Sequence, residues 1–174
     1  MKISGRTIKQ RLYGLRKLPS DLKRARYFRG HGVHSPYVYS IVRQVFMVSH
    51  IIGNEHSLYE ALLLKGVGKK RAIQLQNLAR HCQYERVGID CAMEEFSHYD
   101  MVIVTTNISP EQLPTMALVA REQRITLCVM MPSLSRERDT MCRRLVEEHP
   151  STSVDNRGYL LLFNNHLPKQ IFKL

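Results

Sequence analysis

A chain of 174 residues with 44% hydrophobic content is long enough to bury a core of its own, yet no apolar run reaches the roughly 18–20 residues of a membrane-spanning helix. Its formal charge of +11 is unevenly spread: residues 1–30 hold ten Lys and Arg against Asp21 alone, and the rest is close to neutral. Four cysteines (Cys82, Cys91, Cys128, Cys142) form no CxxC pair, which argues against a zinc site. The basic start lacks the apolar core of an export signal, so the thiols read as free in a reducing, cytoplasmic setting.

The expected organisation is a basic helical arm (1–34) followed by an α/β domain (35–174). Residues 6–17 suit a helix with Ile8, Leu12 and Leu15 on one side and basic residues elsewhere. Pro19 ends it, because a proline disfavours helix at the residue before it. Residues 21–29 suit a second short helix, and Gly30 and Gly32 break the chain. Arms of this charge bind polyanions such as nucleic acid or an anionic membrane surface, or simply aid solubility.

Ser35-Pro36 starts the next helix: Ser35 can cap, and Pro36 fits a position that needs no amide hydrogen. Val38, Ile41, Val42, Val45 and Phe46 recur at helical spacing and predict one buried face running to about Ser49. Ser57 and Glu60 form a capping-box pattern. Residues 57–82 then read as helix, turn, helix, interrupted by Gly66-Val67-Gly68.

Beyond residue 85 the period changes. Val87–Ile89, 100–105 and 125–130 are short apolar strands, and 110–121 and 135–149 are helices, the latter with Met141, Leu145 and Val146 inward. Residues 152–154 and 158–163 are two further strands joined by Asp155-Asn156-Arg157, an antiparallel pair expected at one edge. Continuous apolar strands alternating with helices predict a mostly parallel sheet covered on both faces.

Gly66-Val67-Gly68-Lys69-Lys70-Arg71-Ala72 has the order of a helix-hairpin-helix turn. There glycines expose amides to a phosphate at a helix N-terminus and lysines add charge. Lys65, Gly66, Gly68, Lys69, Lys70 and Arg71 are therefore candidate phosphate contacts, as are Arg24, Arg26 and Arg29 of the arm. The competing reading is a glycine helix stop with solvated lysines. Tyr37 and Tyr39 with Arg26, Arg29 and Arg43 suit either a stacking patch or packing. His31 and His34 lack a third metal ligand and are expected to seat the arm on the domain by hydrogen bonds.

The run His31-Gly32-Val33-His34-Ser35-Pro36-Tyr37-Val38-Tyr39 resembles the HGVHSPF-type motif near the start of a group of class I S-adenosylmethionine-dependent methyltransferases from Bacteroidetes. Residues 100–104, Ser135-Arg136-Glu137-Arg138, Glu147-Glu148-His149-Pro150, 158–163 and 169–172 resemble later segments of that family in the same order, over about half the chain. The resemblance implies a truncated Rossmann-like fold with an antiparallel C-terminal strand pair. It also implies a cofactor turn rich in glycine after the first strand, and acids after the two central strands. This chain has neither. Between Met47 and Asp100 the one G-x-G pair, Gly66/Gly68, does not follow a strand, and the acidic places read Thr105-Thr106-Asn107-Ile108 and Met131-Pro132-Ser133-Leu134. The chain is also shorter than those relatives, as if an early part of the sheet were missing. Asp90 can contact a ribose or serve as a turn residue.

Two functions are left. One is a non-catalytic, methyltransferase-like protein with no cofactor that binds nucleic acid or another polyanion, or a protein partner, through its arm and the 65–71 turn. The other is an active methyltransferase that binds S-adenosylmethionine at a non-standard site.

Overall fold

Thr7 and Gln10 open the first helix by capping each other. The Thr7 amide donates to Gln10 Oε1 at 2.9 Å and the Gln10 amide to Thr7 Oγ1 at 3.3 Å, the reciprocal pair of a capping box. The computed structural model describes residues 7–13, 15, 32–165 and 167–174. Helix α1 covers 8–13 and includes Leu15. The expected helix over 21–29, the candidate contacts Arg24, Arg26 and Arg29, and His31 lie outside the described residues.

Ser35 caps α2 (Pro36–Ile41) as expected: its Oγ accepts the Val38 amide at 3.4 Å, and Pro36 takes the first turn. The single helix expected to reach about Ser49 instead widens into a π-helical turn, Val42–Phe46. The predicted face survives the change, with Val38, Ile41, Val42, Val45 and Phe46 all buried. A tertiary partner supports the irregular turn, because Gln74 Nε2 donates to the Phe46 carbonyl at 2.9 Å.

Helices α3 (Ser57–Leu64) and α4 (Lys69–His81) form the expected helix-turn-helix. The capping box does not form. Ser57 is already helical, and its amide donates to Glu55 Oε1 at 2.9 Å.

Strands β1 (Val87–Ile89), β2 (Met101–Val104), β3 (Thr126–Met130), β4 (Ser153–Asp155), β5 (Tyr159–Leu162) and β6 (Ile171–Lys173) make one sheet in the order β1-β2-β3-β5-β4-β6. Three of the five pairings are parallel, and five of the six strands run the same way; β5 alone opposes them. The pair β4–β5 is antiparallel as expected, but it is not the edge. β6 joins β4 on the outside, and β5 lies inward against β3.

Helices cover both faces, with α5 (Leu113–Glu122) and α6 (Arg136–Glu148) on one and α2, the π turn, α3 and α4 on the other. The strand pleat sorts the two cores. Met101, Ile103, Cys128 and Leu161 meet α2 and α4, whereas Val102, Leu127, Val129 and Leu160 meet α5 and α6. This is the three-layer arrangement in which strands can be apolar throughout. Among the described residues no helix is long and apolar enough to cross a membrane.

Candidate functional site

In open α/β sheets ligands bind beyond the carboxyl ends of parallel strands, where the strand order reverses. Here β1, β2 and β3 succeed one another in a single direction and β1 is an edge strand, so no reversal separates two parallel neighbours.

Between β2 and β3 the strand ends are bridged from within, while a recess of about 340 Å³ lined by Pro132, Asp139, Asp155 and Phe172 lies beside α6. Arg138, in the first turn of α6, is 2% exposed and spreads its guanidinium over three carbonyls. Nε donates to Met130 O at 3.1 Å, one terminal nitrogen to Ile108 O at 2.9 Å and the other to Thr105 O at 3.0 Å. Arg138 thus ties the end of β3 to the loop after β2. Sequence reasoning missed this role. One signal was present: Arg138 lies four and seven residues before the buried Cys142 and Leu145, on the apolar stripe of α6.

Asp90 sits at φ +52°, the left-handed region that a short polar side chain tolerates. One carboxylate oxygen accepts the Thr105 amide and the other its hydroxyl, both at 2.7 Å. Both oxygens therefore clamp β1 to β2. The residues after Asp90 are Cys91 and Ala92, which carry side chains where a close-approaching cofactor needs bare backbone. Among the described residues no three His, Cys, Asp or Glu side chains converge as metal ligands.

The basic turn faces outward. Gly66 has φ +79°, and a Cβ built on Gly66 or Gly68 would meet nothing within 4 Å. Gly68 precedes α4 without a side-chain cap, and Lys65, Lys69 and Lys70 are exposed. Arg71 parts from them and turns inward. It donates to Gln74 Oε1 at 2.8 Å and to Asn156 O at 3.4 Å, and lies 5.8 Å from the centre of the Tyr159 ring. A Cβ at Gly158 would overlap its side chain, so this glycine makes room for the arginine.

The other candidates are dispersed. Tyr37 is at the opposite end of the sheet, edge-on to Phe163 at 5.5 Å with its hydroxyl 3.4 Å from Cys82 Sγ; burial pushes its pKa upward. Tyr39 and Arg43 are exposed, and Arg43 lies against Met47. His34 is exposed, and no hydrogen bond joins it to the domain among the described residues. Among the described residues Tyr13 joins α1 to the domain, its hydroxyl donating to Asp139 Oδ2 at 2.5 Å. Burial and that bond push the Tyr13 pKa to about 12. Asp139 is itself buried and also takes Ser133 Oγ at 3.1 Å and Arg143 at 3.0 Å.

Tyr13 and Arg71 fix the geometry of this end. Asp139 lies in the first turn of α6, just past β3, and Arg71 lies in the first turn of α4, against the β4–β5 connection. The N-termini of α4, α5 and α6 therefore gather where the parallel strands finish, and their dipoles add partial positive charge to the lysines there. Comparison with known proteins returns no matching family model, no matching characterised protein and no matching solved structure.

Proposed function

We propose that this chain is a non-catalytic, methyltransferase-like protein of truncated Rossmann-like fold that binds a phosphate-bearing polyanion at its strand-end surface. The observation that carries this reading is the Arg138 plug. At the ends of β2 and β3 a buried guanidinium uses its donors on the protein's own carbonyls, and exposed lysines lie outside, on the 65–70 turn. The resemblance of the HGVHSP run at the start of α2 supplies the ancestry. The absent glycine turn and the satisfied Asp90 explain why the ancestral chemistry would be lost.

Lys65, Lys69 and Lys70 with the amides at the head of α4 form the binding surface, and the basic arm extends it. The test is chromatography on heparin, a polyanion without bases or lipid. The chain should be retained at low salt, and K65Q/K69Q/K70Q should elute at markedly lower salt. Passage through the column at low salt would defeat the binding reading. Titration calorimetry with S-adenosylmethionine should give no heat; micromolar binding would defeat the non-catalytic half and favour a working methyltransferase.

A further inference from the structure

The strand-end surface carries more than charge. On α1, Ile8, Leu12 and Leu15 recur at i, i+4, i+7 and are 78, 58 and 61% exposed, so the apolar stripe is not spent on the protein's own core. Lys9 and Arg11 stand between them, which makes α1 a basic amphipathic helix. At the same end, the last residue of α3, Leu64, is 89% exposed and leads directly into Lys65 and the glycine turn. Beside Lys69 and Lys70 a recess of about 660 Å³ is floored by Phe46, Met47, Val48 and Ile73.

The charge around these apolar groups is one-sided. Between residues 22 and 84 the only acids are Glu55 and Glu60. The exposed carboxylates near the strand ends, Glu94, Glu95, Glu111 and Glu137, belong to the loops after β1 and β2 and to the head of α6; Glu137 faces Lys9. At the corner formed by Met47, Leu64 and Lys65–Lys70 the lysines predominate, with Glu60 one turn before Leu64 and Asp155 acting on Arg71.

Nucleic acid has no use for leucines displayed to solvent, because its phosphates and sugars are polar and its bases stack on aromatic rings. An anionic bilayer uses both groups, taking apolar side chains into its acyl boundary while its headgroups attract lysines. We propose that this end of the molecule docks on an anionic lipid surface, with the α1 stripe and Leu64 inserted and Lys65, Lys69 and Lys70 against the headgroups. This rests on the polyanion reading and names its partner.

Co-sedimentation of the full chain with vesicles tests it. The chain should pellet with phosphatidylcholine–phosphatidylglycerol vesicles and not with phosphatidylcholine alone, less so as salt rises. L12S/L15S and L64S alter exposed positions and should leave the melting temperature unchanged while weakening partitioning about tenfold. K65Q/K69Q/K70Q should weaken it to a similar extent. Equal pelleting by the leucine variants would overturn the proposal. So would a wild-type dimer that L12S/L15S makes monomeric, since a second copy would then cover the stripe. Salt-sensitive binding of RNA without vesicle binding would overturn the lipid partner and leave the polyanion reading standing; failure on heparin as well would remove both.

Discussion

Arg138 closes the place where a sheet of this kind usually opens. Three carbonyls, one at the end of β3 and two in the loop after β2, converge there, and one planar fork satisfies all three. Arg138→Met keeps the bulk and leaves three buried acceptors without a donor, so it should destabilise the protein by about 3–5 kcal/mol in urea denaturation. Arg138→Lys should recover only part of this, because a single ammonium cannot reach three carbonyls in a fork. An equally stable methionine variant would show that water can replace the guanidinium. The position of Arg138 on the inner stripe was legible in the spacing of α6. Its charge argued for solvent, and only the converging carbonyls explain why a cation is buried there.

At the scale of the element, α4 shows how a helix can be read correctly in extent and incompletely in role. Its apolar residues Ala72, Ile73, Leu75, Leu78 and Ala79 are buried, but so are Gln74, Gln76 and Asn77 between them. These amides serve the backbone laid over the helix. Gln74 donates to Phe46 O, Gln76 accepts the Tyr59 amide at 3.0 Å, and Asn77 both accepts the Ile52 amide and donates to His50 O at 2.9 Å. Asn77→Ala would orphan two backbone groups at once. It should cost about 2–4 kcal/mol and raise hydrogen exchange at the Ile52 amide well before global unfolding. Unchanged exchange at Ile52 would mean the loop is held by other contacts. The periodic pattern gave α4 its length. It could not show that a helix polar by composition is buried nearly all round, since that depends on chain segments distant in sequence.

The whole molecule should be acid-sensitive through its histidines. His149 is buried at the end of α6 with a ring nitrogen 2.9 Å from Phe163 O, and burial lowers its pKa; burial also lowers that of His81. Folding thus favours the neutral ring. Its contribution is fully present above the ordinary histidine value of about 6.5 and is lost as pH falls from there through the depressed folded value. Unfolding free energy should fall over that window, and the slope should flatten in H149Q/H81Q. An unaltered slope would assign the acid sensitivity to the carboxylates.

By itself the sequence determined the alternation of helix and strand, the Ser35-Pro36 start, the outward lysine turn and the uneven charge. Each of these follows from local rules of spacing, capping and composition. Tertiary structure alone decided the rest. β6 displaced the β4–β5 pair from the edge, because strand order depends on pairings far apart in the chain. Arg71 turned inward while its lysine neighbours stayed out, because Gly158 and Tyr159 offered it a slot. Arg138 joined the ends of β2 and β3, because only the fold brings Met130, Ile108 and Thr105 within reach of one side chain.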